Sequence, residues 1–68
     1  MATFSERLLQ LRKDKGLSQE AVAKEVGITS RTYQRYESGE REAAISALTR
    51  IANFYEVSID YLVGRADA

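Results

Sequence analysis

Apolar residues in this 68-residue chain recur at helical spacing in short runs, and glycine closes nearly all of them. The closures are Gly16, Gly27, Gly39 and Gly64; Ser18 reopens the chain after the first, and Thr29 or Ser30 after the second. Glycine takes the left-handed conformation that ends a helix without steric penalty. A Ser or Thr side chain then caps the first turn of the next helix. Such punctuation rules out long helices and leaves several short ones. Phe4, Leu8 and Leu11 stand at i, i+4 and i+7 behind Thr3, with Glu6 placed for a capping box, which predicts a helix over about residues 4–15. A second follows over 18–26 through Val22 and Val26, and a third over 30–38 with Tyr33 and Tyr36 on one face. The fourth is expected over 44–55, burying Ile45, Leu48, Ile51, Ala52 and Tyr55, and the fifth over 58–63 behind Ser58. The only β-branched cluster near a turn, Val57 to Ile59, is interrupted by that capping Ser. With no Pro, no repeat and no low-complexity stretch, residues 1–68 are expected to form one domain. The fold class is all-α, a compact five-helix bundle. None of the helices is long enough to persist alone, so they form only by packing together.

Composition narrows the function classes. The chain has neither Cys nor His, which excludes disulfides, thiolate metal sites and cysteine nucleophiles and leaves zinc with carboxylates alone. No metal, no cofactor and no enzymatic activity are expected, since nothing here assembles into a catalytic site. No apolar run approaches the roughly 20 residues of a membrane span, and no signal peptide opens the chain, so a cytoplasmic location is expected. Ten basic residues balance ten acidic ones. The zero is a sum of unlike parts. Residues 12–36 hold six basic and three acidic side chains, net +3, and residues 37–68 hold three and six, net −3. Phosphate contact depends on the local field rather than on total charge, so this asymmetry leaves nucleic acid open as a partner.

The second and third runs carry the most information. Two short helices meeting at about 90–120° need a small residue where they approach closely, and Ala23 fits that place. The sharp turn needs a positive φ, which Gly27 supplies, and Ile28 plugs the corner. Ser30, Arg31, Gln34 and Arg35 then fall on the outward face of the third helix. At i, i+1, i+4 and i+5 they form one stripe of the width a major groove admits. Arg donates two hydrogen bonds to guanine, and Gln pairs in the same bidentate way with adenine. The residue types alone are equally those of a solvated helix face.

The wider pattern decides between these readings. From Phe4 to Gly64 the sequence resembles the helix-turn-helix family of phage repressors, Cro proteins and their bacterial regulator relatives, the XRE family. The likeness rests on Leu8-x-x-Leu11-Arg12, Leu17-Ser18-Gln19, Ala23, Gly27, Tyr36-Glu37-x-Gly39-x-Arg41, Ile51-Ala52 and Val57-Ser58-x-Asp60-x-Leu62, all in register. The resemblance implies a sequence-specific transcriptional regulator, a repressor by expectation, on double-stranded DNA. Ser30, Arg31, Gln34 and Arg35 lie where the family reads bases or neighbouring phosphates. Gln19 matches a phosphate-anchoring glutamine, Thr32 lies on the phosphate flank, and Arg41 lies in a loop that touches backbone. Arg12 and Glu37 match a pair that bridges the first and third helices, with one side of Arg12 open to a phosphate. The chain departs from the family at Ala43, where Pro is usual, and at Tyr33 and Tyr36, which replace apolar or indole side chains. Losing the Pro restraint predicts a more mobile 40–44 segment. Each tyrosine hydroxyl needs a partner or solvent.

One recognition helix covers few base pairs, so high specificity calls for two copies on a twofold site. Phe54, Tyr55, Val57, Ile59, Tyr61, Leu62 and Val63 are more apolar side chains than two short helices bury inward, which predicts a homodimer through this end. Phe54, Tyr55 and Tyr61 also suit the completion of a monomer core. A protein-interaction module on the same fold, such as an antitoxin or anti-regulator, stays as the other class of function. It is less favoured because the stripe lacks apolar anchors.

Overall fold

The computed structural model describes residues 3–66. The first and last two residues of the expected 1–68 domain, with Asp67 of the acidic half, lie outside the described residues. Five helices follow in order: α1 Phe4–Lys15, α2 Gln19–Val26, α3 Ser30–Ser38, α4 Ile45–Tyr55 and α5 Ile59–Leu62. No strand occurs among the described residues.

Local chemistry accounts for most of the boundaries. At α1 the Glu6 N–H donates to the Thr3 hydroxyl at 3.3 Å and the Thr3 N–H donates to the Glu6 carboxylate at 3.0 Å, closing the capping box. Ser18, Thr29 and Ser58 accept from the first turns of α2, α3 and α5 in the same way. Gly27, at φ +77, lets the chain turn from α2 into α3 while its N–H returns to the last carbonyls of α2. α4 lacks both devices. Its N-cap is Ala44, which has no side-chain hydrogen bond, and its C-cap is Glu56, a non-glycine residue held at φ 57.

The core is built from Leu8 of α1, Val22, Ala23 and Val26 of α2, Tyr33 and Tyr36 of α3, Ala47, Ile51, Ala52 and Tyr55 of α4, and Leu62 of α5. α3 packs against both α1 and α2, while α4 packs against α2 and α5. Ala23 is 1% exposed, consistent with its place at the close approach, and Ile28 packs against the core from the corner. Ile45, expected inside, is 77% exposed. Ala47, Ile51 and Tyr55, at i, i+4 and i+8, set the inward face of α4. Ile45 lies about 120° round the helix from Ile51 and so points away.

Candidate nucleic-acid interface

Tyr33 and Tyr36 point inward and are buried, which fixes the opposite side of α3 as its outer face. Ser30, Arg31, Gln34 and Arg35 occupy that outer face. Arg31 and Gln34 are exposed, Ser30 and Arg35 half-buried. Arg31, Gln34 and Arg35 line one open hollow together with Ser38 and Glu40. Thr32 flanks the stripe. Its N–H donates to the Thr29 hydroxyl at 3.1 Å, and its own oxygen accepts from that hydroxyl at 2.9 Å, leaving the Thr32 proton to donate outward. Arg41 is exposed in the α3–α4 loop, beside Tyr36 and Glu42.

The inner side of α3 is tied to three other helices by polar contacts. Arg12 of α1 grips Glu37 with two parallel bonds, Nε to Oε2 at 2.7 Å and Nη2 to Oε1 at 3.1 Å, and donates a third to the Leu17 carbonyl at 2.9 Å. Gln19 of α2 donates to Glu37 Oε1 at 3.1 Å. The Tyr33 hydroxyl meets the Tyr55 hydroxyl of α4 at 2.9 Å and also faces the Glu37 carboxylate. Burial alone would raise the Glu37 carboxyl. The bonds from Arg12, Tyr33 and Gln19, with the Arg12 charge, outweigh it and hold the group below the usual carboxylate range. The same burial, together with its contacts to Tyr55 and Glu37, pushes Tyr33 well above the usual phenol range. No buried polar side-chain atom is left without a partner among the described residues.

These contacts redistribute the roles expected from sequence. The Arg12–Glu37 bridge is present, but it is more than a surface ion pair: the side chains are 17% and 5% exposed. Three of the five N–H groups of Arg12 are engaged inside the protein, tying α1 to α3 and to the Leu17 carbonyl. Gln19 likewise turns one amide N–H inward, to Glu37.

The expected pairing surface needs a correction. Tyr55 and Leu62 are 5% and 0% exposed and belong to the core. Tyr55 turns its hydroxyl inward to Tyr33, and Leu62 is the side of α5 that meets the core. Phe54 and Val57 are half-buried against the core, whereas Ile59 and Val63, at 37% each, remain on the surface. Tyr61 lies beneath the guanidinium of Arg7, 4.0 Å from the ring centroid. Arg7 escaped the sequence reading. Its partners are the Tyr61 and Ala66 carbonyls, 54 and 59 residues away, and backbone acceptors carry no sequence signal.

Residues 8–62 match the family described as Helix-turn-helix. The chain is 45% identical over 60 residues to the uncharacterized HTH-type transcriptional regulator YqaE of Bacillus subtilis, covering 88% of this chain and 52% of that protein. It is 43% identical over 62 residues to the cryptic phage CTXphi transcriptional repressor RstR of Vibrio cholerae, covering 91% and 55%. Among solved structures, the P22 c2 repressor in complex with a synthetic operator superposes with a TM-score of 0.91 at 26% identity, covering 97% of this chain and all of that one. The chain thus spans about half the length of the curated relatives it matches. By sequence over that span and by the arrangement of its helices, it belongs to the helix-turn-helix family of transcriptional regulators.

Proposed function

We propose that this chain is one DNA-binding domain that binds double-stranded operator DNA in the cytoplasm as a repressor, with α3 in the major groove. The observation that carries the reading is the division of α3 into two faces. Arg31, Gln34, Arg35 and Ser30 stand outward in one stripe, while Tyr33, Tyr36 and Glu37 pin the opposite side to α1, α2 and α4. A reading helix must be rigid for bidentate contacts to discriminate, and each such contact contributes about 1–3 kcal/mol. In this reading Arg31, Gln34 and Arg35 address base edges and Ser30 a base or phosphate. Gln19, Thr32 and Arg41 address phosphates, and Arg12 positions the helix through Glu37. Two copies pair through α5 and the end of α4, using Ile59 and Val63 with the exposed parts of Phe54, Val57 and Tyr61, on a pseudo-palindromic site. The complex of the P22 c2 repressor with a synthetic operator supports operator DNA as the ligand.

A binding selection from a random duplex library tests it. The expected product is a pseudo-palindrome with half-sites about one helical turn apart, bound with an affinity that falls steeply as salt rises. Arg35→Ala should relax preference at one base position, whereas Thr32→Ala should weaken all sequences alike. Equal affinity for every sequence, or no duplex binding at low salt, refutes the regulator and returns the protein-interaction module.

A further inference from the structure

α5 has four residues, a single turn, and a single turn does not hold its own direction. Ser58 caps its start, and Leu62 anchors it in the core. Its other end is held from α1. Arg7 Nη1 donates to the Tyr61 carbonyl at 2.9 Å and to the Ala66 carbonyl at 2.7 Å, while the guanidinium lies over the Tyr61 ring at 4.0 Å. The Tyr61 carbonyl, among the last of α5, also accepts from the Gly64 N–H at 3.1 Å, and a cation at a helix C-terminus is favourable. Around it the chain closes on itself: the N–H groups of Arg65 and Ala66 both return to the Asp60 carbonyl. Arg7 therefore grips the α5 turn and the segment after it as one unit, from a helix that also carries Arg12.

The apolar side chains left at the surface by α5 and its C-cap are Ile59 and Val63, four residues apart and so on one side of the turn. We propose that Arg7 is a positioning residue for self-association. By fixing the angle of α5 against α1, it sets how Ile59 and Val63 meet a second copy, and hence the distance between the two reading helices. The inference rests on the dimer proposed above. It adds a residue that touches neither DNA nor the partner's stripe yet determines which half-site spacing is accepted. Because α1 also holds Glu37 of α3 through Arg12, the same helix references both the reading face and the pairing face.

The test compares the full chain with Arg7→Met and Arg7→Lys. Sedimentation gives the dimer dissociation constant. Binding is measured on an isolated half-site and on operators whose half-sites are moved by one base pair. Arg7→Met keeps the bulk over Tyr61 but loses the charge and both hydrogen bonds, so the dimer constant should weaken about tenfold or more. Its preference among spacings should flatten, and half-site affinity should stay within about twofold, because α3 is untouched. Arg7→Lys keeps the charge and reaches the carbonyls without the flat stack, so it should recover part of the loss. If the parent chain is monomeric at every concentration, the dimer reading fails. If the parent dimerises and Arg7→Met dimerises as tightly with the same spacing preference, the positioning role fails alone. If half-site binding falls as much as dimerisation, Arg7 only supports the fold, and the proposal is overturned. Should Arg7→Met not fold, Arg7→Gln, which loses the charge and the stack, takes its place, and unchanged pairing and spacing in that variant overturn the proposal.

Discussion

The hydroxyl pair between Tyr33 and Tyr55 makes an unequal demand on its two members, and the inequality can be measured. Tyr33 is fully buried and Tyr55 is 5% exposed, with the oxygens 2.9 Å apart. If the Tyr33 hydroxyl turns its proton to the Glu37 carboxylate, which only accepts, its oxygen accepts in turn from Tyr55. Tyr55→Phe then removes the outer end of the chain and leaves Tyr33 bonded to Glu37, costing about 0.5–1.5 kcal/mol. Tyr33→Phe removes the middle. It strands the Tyr55 hydroxyl in the core and takes one donor from Glu37, costing about 1–3 kcal/mol. In the double variant the stranded hydroxyl is gone as well, so the second change adds little, and the coupling between the two is about 1 kcal/mol. Urea unfolding at neutral pH, with equal slopes for all four proteins, gives these values from the midpoints. Costs that add within about 0.3 kcal/mol, or a larger loss for Tyr55→Phe than for Tyr33→Phe, would falsify the assigned direction of the chain.

Two further perturbations follow from the same geometry. The Glu37 carboxyl lies below the ordinary carboxylate value in the folded protein, so its contribution is fully present above that value, about pH 4.3, and is lost as pH falls through the lower folded value. Glu37→Gln should cost about 2–3 kcal/mol at neutral pH and flatten the acid side of a pH–stability profile, and an unchanged acid limb speaks against the network. Glu56 closes α4 in the left-handed region at φ 57, where a side chain is strained. Glu56→Gly should raise stability by about 1 kcal/mol in thermal or urea melts, and a loss means the Glu56 side chain contributes more than its backbone strain costs.

The helix boundaries were legible wherever they depend on local chemistry. Thr3 with Glu6, Ser18, Thr29 and Ser58 as starts, and Gly16, Gly27 and Gly39 as stops, act through bonds within a few residues of themselves. α4 shows the limit. Its end carries no glycine: Glu56 takes the left-handed conformation its own propensity disfavours, with its N–H returned to the Ala52 and Asn53 carbonyls. Ile45 misled for a related reason. It fits a helical period with Leu48 and Ala52, but a period gives a face only up to rotation, and Ala47, too small to draw notice, marks where that face points. The pairing surface was legible only as a region: seven apolar side chains were in view, and which two the core would take depended on a tyrosine hydroxyl contact across 22 residues.

Charge is where sequence and structure combine most usefully. Counted along the chain, Arg12 belongs to the basic segment and Glu37 to the acidic one, yet the two neutralise each other inside the bundle. Removing that pair leaves residues 12–36 at net +2 and residues 37–68 at net −2. Arg7 is committed at the opposite end, to carbonyls and an aromatic ring. Two of the ten basic side chains therefore hold the framework, and the charge offered by α3 itself reduces to Arg31 and Arg35. Glu40 shares their hollow and opposes them. In the proposed reading, the attraction to phosphate therefore comes mostly from basic side chains outside α3, such as the exposed Arg41, which act on any duplex alike. Discrimination then rests on the geometry of bidentate contacts, and that geometry is as good as the rigidity of α3. The buried carboxylate of Glu37, held from α1 and α2 and facing the hydroxyl chain that reaches α4, is what supplies it.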